Sequence, residues 1–364
     1  MAFRRAPRAV FDYVDGGAMS ETSLRRSREA FRRVEFTPRV MRNVADVDMS
    51  IEVLGRGNAL PFIFAPTGFT RMMHAEGEPA VARVAAEKGV AYALSTLGTT
   101  SIEELALASP DARRWFQLYV RRDRAEPEEL MRRAGESGYD TLVLTVDTAV
   151  GGIRGREVRN GLTIPPQLRL STVAEMALHP RWWFDALTTK PLRFATLTST
   201  SDTPGDLLTR LFDPGVTGSD VAWIRENWSG KVLVKGIQSR EDAVLAADLG
   251  VDGIVLSNHG GRQVDMGNSL LELLPDVVTE VGERTEVYLD GGIMSGADVV
   301  AALSFGARGV LVGRAYLYGL MAGGEDGVRR VVDILEKEVR TIMQLIGART
   351  IDDVREAQVR LRAF

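Results

Sequence analysis

Eight short apolar runs, most followed by a helical pattern, limit what this chain can fold into more than any other feature. They are PFIFAP (61–66), AYALST (91–96), WFQLYV (115–120), TLVLTVD (141–147), KVLVKG (231–236), DGIVLSN (252–258), EVYLDG (286–291) and GVLVGR (309–314). None alternates apolar with polar residues as a half-exposed strand does, so each reads as a strand buried on both faces. Between them, EGEPAVARVAAEKG, SIEELALA, EPEELMRRAGESG, SREDAVLAADLG, LLELLPDVVTEVG and SGADVVAALSFGA place apolar residues at three- and four-residue spacing. Several begin with Ser or an acid and stop at Gly, as helix caps require. A last helix is expected from about Asp326 to about Ile346. Eight strands alternating with helices predict an α/β protein of the closed (β/α)8 TIM barrel type. An open doubly wound sheet is the alternative, weakened because no GxGxxG follows the first run.

The interval between the fourth and fifth runs is too long for one crossover. With its scattered prolines and the aromatic knot Trp182, Trp183 and Phe184, it reads as an excursion above the C-terminal rim, about 155–216. The helix of that unit follows near 217–229. Residues 1–57 form an expected N-terminal helical cap with a short β segment, residues 58–346 the barrel, and residues 347–364 a C-terminal tail. The whole of 1–364 is read as a single domain, a size that barrels of this kind often reach.

Composition removes several function classes. A formal net charge of −4 and a pI near 5.7 leave no basic footprint for nucleic acid. The absence of cysteine excludes thiolate catalysis, disulfides and cysteine-ligated clusters, and no metal site is expected. The N-terminus MAFRRAPRAVFDYV has no apolar stretch of signal-peptide length, and no run approaches the roughly 20 apolar residues of a spanning helix. A cytoplasmic location is the expectation. Within the excursion, Trp182, Trp183, Phe184 and Leu187 with flanking Arg and Lys suit a membrane surface, which would place the protein peripherally at the inner face of the cell membrane. A lid over the site and an oligomer contact are the alternatives.

Active sites in such barrels lie at the C-terminal ends of the strands. There the chain places Pro66-Thr67-Gly68, Ser95-Thr96, Gln117 with Tyr119, Thr145 with Asp147, Lys235, Ser257 with His259 and Arg262, Asp290-Gly291-Gly292, and Gly313-Arg314. Of 45 basic residues 5 are lysine, so a lysine at a strand end stands out. The seventh and eighth loops of these barrels often bind phosphate through backbone N–H groups, and Arg314 can fork onto its oxygens. A phosphorylated, ring-bearing cofactor fits these groups, and so does a sugar-phosphate substrate. His259 is the candidate base, since an imidazole titrates near neutral pH. Asp147 is placed to stabilise the imidazolium, and Arg262 can clamp a carboxylate bidentately. His74 and His179 read as structural or solvated.

At SNHGGRQ, Ser257 to Gln263, the sequence resembles a signature of the FMN-dependent L-2-hydroxy acid oxidases and dehydrogenases. The resemblance runs through FDYVDGGA, APTGFTRMMHAEGE, WFQLYV, LTVD, VLVKGI, LDGGI and VGRAYLYGL. The DGGA, HPRWWFD and LYGLMAGGE segments are most similar to bacterial L-lactate dehydrogenases. The resemblance implies His259 as base with Asp147 as its charge partner, Arg262 and Arg154 as the carboxylate clamp, and Tyr13 and Tyr119 as substrate-binding phenols. It implies FMN held by Pro66, Thr67, Gly68, Ser95, Gln117, Thr145, Lys235 and Ser257. The phosphate would meet Asp290, Gly291, Gly292, Ile293, Met294, Gly313 and Arg314. Many members carry an arginine where this chain has Met294, so one phosphate contact passes to Arg314 and backbone, or to another arginine. The implied reaction is oxidation of a small L-2-hydroxy acid, with L-lactate to pyruvate the leading case and a quinone-like acceptor. An oxygen-using oxidase, a lactate monooxygenase and, more remotely, a non-redox barrel binding a phosphorylated ligand are the alternatives. A homotetramer is implied in the same way. Gly68, smaller than the alanine of many oxidases, and Leu97, where some relatives have an aromatic, bear on acceptor and substrate size.

Overall fold

The protein is described by a computed structural model covering residues 1–121, 123–160, 177–189, 192–197 and 212–362. Eight parallel strands close into a barrel: β1 (Phe62–Phe64), β2 (Tyr92–Ser95), β3 (Arg114–Leu118), β4 (Thr141–Thr145), β5 (Lys231–Ile237), β6 (Gly253–Leu256), β7 (Glu286–Asp290) and β8 (Gly309–Val312). Each pairs with the next in sequence, and β8 pairs with β1 through Val310↔Phe62, Leu311↔Ile63 and Val312↔Phe64. β1, β2, β4, β6 and β8 are buried at every residue. That is why their sequences show no alternation: one face fills the barrel and the other meets helices.

Outer helices follow the strands as the apolar spacing predicts, including Gly77–Glu87, Ile102–Ala108, Ala125–Glu136, Gly218–Asn227, Arg240–Asp248, Leu270–Val281 and Gly296–Ser304. Ser101, Ser239 and Ser295 cap three of them by accepting from the backbone N–H three residues on, which satisfies an N–H the helix itself leaves unpaired.

The chain departs from expectation at its C-terminal end. Instead of one helix starting near Asp326, the helical stretch runs Arg314–Leu345 and is broken at Gly323 and Gly324. The part before the break carries buried Ala315, Tyr316, Leu317, Gly319, Leu320 and Met321. A helix apolar on most sides gives no amphipathic signal. The stretch expected as a tail contains a helix, Ile351–Arg355, and a strand, Val359–Leu361, which pairs antiparallel with Val34–Phe36.

Before the barrel lie helices Ala2–Arg5, Arg8–Asp15 and Thr22–Arg32 and a β pair, Ile51–Val53 with Arg56–Asn58. Of the excursion, helices Gly155–Arg159 and Pro180–Thr188 are described. The side chain of Leu187 and most of the remaining excursion lie outside the described residues.

Candidate active site

The ladder between β5 and β6 shifts register between Lys235 and Ile237. Gly236, at φ +115°, sits in that irregularity, and a Cβ there would lie 2.7 Å from Asp147 Cβ. The missing side chain is what lets Asp147, from the end of β4, come in beside β5. His259, past the end of β6, turns its Nδ1 to Asp147 Oδ1 at 3.1 Å. Its backbone is left-handed (φ +57°), an uncommon state for a residue with a side chain. Gly260 and Gly261 continue it at φ +65° and +74°, and a Cβ on Gly261 would meet Leu24 N at 2.7 Å. The glycines after the histidine are therefore dictated by a tight left-handed turn lying directly against the N-terminal cap.

The carboxylate of Asp147 is 1 % exposed and the ring of His259 25 %. Burial pushes the Asp147 carboxyl up, but the facing His259 and then Lys235 outweigh it and hold it below the usual carboxylate value. Burial pulls His259 below its ordinary value; Asp147 opposes this and Lys235 adds to it. With Asp147 ionised, Nδ1 carries the hydrogen and Nε2 is the acceptor. The pair is a neutral base held in one tautomer. Beside it, Lys235 Nζ lies 3.0 Å from Asp290 Oδ2 and donates to Ser257 Oγ at 2.9 Å. Ser257 Oγ also accepts from the His259 backbone N–H at 3.1 Å. Burial lowers the Lys235 ammonium, but Asp290 and Asp147 more than compensate, so it stays charged.

Two arginines line the same site. Arg262 donates through Nη1 to Tyr13 O and, at 3.3 Å, to Gly16 O, and through Nη2 to Glu157 Oε1 at 3.0 Å. Arg154 Nη1 reaches Glu157 Oε2 at 3.5 Å. The Arg262 guanidinium also stacks 4.8 Å from the centre of the Tyr13 ring. Burial, with repulsion from Arg154, pulls Arg262 down to about 10, which leaves it charged at neutral pH. Burial raises the phenols of Tyr119 and Tyr13, so both are neutral hydroxyl donors.

Most of these groups line one cavity of about 1350 Å³. Its walls include Tyr13, Tyr119, Arg154, Arg262 and His259, then Pro66, Thr67, Gly68, Ser95, Gln117, Thr145 and Lys235, and from the last two strands and their loops Asp290, Gly291, Gly292, Ile293, Met294, Gly313 and Arg314. Gln117 Oε1 accepts from Ser95 Oγ and the Thr96 N–H, whereas its Nε2 is buried without a protein partner. A buried amide donor of that kind calls for an acceptor on a bound molecule. The cavity thus combines ring-sized apolar space, an amide donor, a buried cation and two glycine-bearing loops after β7 and β8.

A sequence profile described as FMN-dependent dehydrogenase matches residues 2–361. The chain belongs to this family.

A Mycobacterium tuberculosis protein (strain ATCC 25618 / H37Rv), whose name as an L-lactate dehydrogenase is provisional, is 53% identical over 354 residues, covering 97% of this chain and 86% of that protein. A crystal structure of the monotopic membrane protein (S)-mandelate dehydrogenase superposes with a TM-score of 0.93 at 36% identity, covering 99% of this chain and 97% of that one. A crystal structure of mandelate oxidase gives 0.85 at 37% identity, covering 100% and 97%. As an FMN-dependent dehydrogenase or oxidase of the 2-hydroxy acid class, the chain uses FMN as cofactor and takes a small 2-hydroxy acid. The Gln117 amide, Lys235 and the glycine loops fit that cofactor.

Two residues singled out in the sequence, Asp147 and Ser257, do not line the cavity of this FMN-dependent enzyme. Asp147 touches His259, and Ser257, fully buried, touches Lys235 and the His259 backbone, so both stand behind residues that do line it. Among the wall residues that escaped sequence reasoning are three that carry charge or an aromatic ring next to the residues above. Glu157 ties Arg154 to Arg262 from a short helix with no strand-end position to mark it. Phe69, itself left-handed at φ +57°, packs edge-on between Tyr13 (6.0 Å) and Phe194 (4.6 Å). Arg28 lies in the cap helix Thr22–Arg32, where an arginine among several carries no signal.

Proposed function

We propose that this enzyme oxidises L-lactate to pyruvate and passes the electrons to a quinone-like acceptor. The observation that carries the chemistry is the His259–Asp147 pair opening onto a cavity that Arg154 and Arg262 also line. The substrate is favoured by the L-lactate dehydrogenase name of the relative at 53% identity, and the word dehydrogenase favours an acceptor other than oxygen. When bound, FMN supplies the two-electron oxidant.

His259 Nε2 would take the proton from the substrate hydroxyl or its α-carbon, and hydride and carbanion routes need the same base. Asp147 would stabilise the resulting imidazolium. Arg262 and Arg154 would fix the carboxylate, with the Tyr13 and Tyr119 hydroxyls donating to substrate oxygens. Pro66, Thr67, Gly68, Ser95, Gln117, Thr145 and Lys235 would hold the isoalloxazine ring, with Ser257 behind Lys235 fixing its ammonium, and Lys235 would add a fixed positive charge of the kind that stabilises developing negative charge. Asp290 to Met294, Gly313 and Arg314 would hold the phosphate.

The purified yellow protein is mixed anaerobically with L-lactate or (S)-mandelate, then exposed to air or a soluble quinone. Rapid bleaching by lactate and reoxidation faster by quinone than by air are expected. Preference for mandelate would overturn the substrate, fast peroxide formation in air would overturn the acceptor, and acetate would indicate a monooxygenase.

The membrane contact rests on the exposed side chains of Leu178 and Phe184. Trp182 does not belong to that surface, since its Nε1 donates to Met72 O at 2.9 Å and its ring borders the cavity. No described helix is long and apolar enough to cross a membrane. Liposome flotation checks this contact, and no lipid-dependent shift would remove it. The reading also treats 1–364 as one domain assembled as a homotetramer, which sedimentation velocity tests.

A further inference from the structure

Arg28 comes from outside the barrel, yet it borders the cavity beside Gly291, Gly292 and Met294. Its Nη1 donates to Gly292 O and to Asp298 Oδ2, the latter at 2.7 Å. The side chain is 32 % exposed, while that of Asp298 is 7 % exposed. Asp298 does not line the cavity; its Oδ2 also accepts from the N–H groups of Met294 and Ser295 at 2.9 Å each. The carboxylate thus holds both the loop after β7 and one nitrogen of the guanidinium, and Arg28 borders the cavity while Asp298 does not. The cap helix is seated tightly here, since a Cβ on Gly292 would meet Ser27 O at 3.0 Å.

Arg314 borders the same end of the cavity, its Nε and Nη2 donating to Val14 O and Gly16 O at 2.8 and 2.9 Å. Asp290, the nearby carboxylate on that wall, is answered by Lys235. Two guanidinium groups therefore flank two glycine-bearing loops whose barrel position commonly receives phosphate.

We infer that Arg28 is a phosphate-binding residue for FMN, acting with Arg314, so that the cap helix Thr22–Arg32 is part of the cofactor site. The inference rests on the placement of the phosphate proposed above. A dianionic phosphate gains charge-assisted hydrogen bonds from a guanidinium that a neutral side chain cannot replace. Riboflavin, which is FMN without the phosphate, gains nothing from it.

The test compares FMN and riboflavin binding to apoprotein prepared from the holoenzyme, followed by quenching of flavin fluorescence. Arg28→Met should weaken FMN roughly 10- to 100-fold, the range of one charge-assisted hydrogen bond, with riboflavin nearly unchanged. The salt dependence of FMN binding should fall as well. Arg28→Lys, which keeps charge and bulk, should fall between Arg28→Met and the parent. Equal weakening of both flavins would make Arg28 a structural strut and overturn the inference. If Arg314→Met discriminates between the flavins and Arg28→Met does not, the inference fails while the phosphate placement stands. If neither discriminates, both fail.

Discussion

On the barrel side of the cavity, Asp147 answers His259 and Asp290 answers Lys235, all four from strand ends of one closed sheet. On the cap side, Arg262 and Arg314 both donate to the carbonyl of Gly16, and each reaches one further carbonyl at the end of helix Arg8–Asp15. The first arrangement is complete within the barrel. The second needs a segment from the other end of the sequence to hold its cations. On the proposed function, proton chemistry would be preorganised by the scaffold, while anion binding would depend on the cap being seated. The carbonyls suit this role, since a helix C-terminus carries partial negative charge.

The sharpest way to break this comparison is to remove the base. His259→Asn should slow lactate oxidation in a single turnover by roughly 10²–10⁴-fold, the usual worth of a positioned acid–base group. FMN content and protease resistance of residues 1–33 should stay at parental levels, because nothing on the cap side is touched. Near-normal turnover would remove His259 from the chemistry.

Asp147→Asn probes the same side through pH. Burial holds His259 below its ordinary value and Asp147 partly opposes this, so the imidazole remains a base to pH values below about 6.5. The acid limb of kcat/KM should therefore lie below that value. Losing Asp147 removes the group that favours the protonated ring, so the limb should move further down while the plateau falls by roughly 10²-fold or more. A limb that stays put belongs to another group.

A cap-side change should behave differently. Arg262→Met should weaken binding of lactate or a carboxylate inhibitor by roughly 10- to 100-fold, and Arg262→Lys by less than Arg262→Met. It also removes the bonds to Tyr13 O and Gly16 O, so amide exchange at residues 13–17 should speed up. Unchanged inhibitor binding would make Arg262 purely structural. Unchanged exchange would dissolve the contrast between the two sides.

The same division governs what could be read in the sequence. Strand ends are counted off by the apolar runs, so His259, Asp147, Lys235 and Gln117 were placed at the rim from order alone. The bonds of Arg262 and Arg314 to the cap join residues 249 and 300 positions apart, and no local pattern encodes such a pairing. Arg28 and Glu157 were missed for that reason. The helix after Arg314 was missed for a different one, because burial on most sides erases the 3.6-residue period.

The smallest effect tests how tightly the barrel side is packed. Gly68 and Leu97 follow β1 and β2, and a Cβ on Gly68 would lie 2.9 Å from Leu97 Cβ. Gly68→Ala should therefore cost about 1–3 kcal/mol, the usual range for overpacking. The contact is with Cβ, so Leu97→Ala, which keeps that atom, should give no rescue, whereas Leu97→Gly should. A double-mutant cycle followed by chemical unfolding separates the two: coupling near zero with Leu97→Ala and favourable by about 1 kcal/mol or more with Leu97→Gly. Equal coupling with both would mean that the loop after β1 yields by moving as a unit. The barrel side would then be as adjustable as the cap side, and the difference between the two would rest on the charges alone.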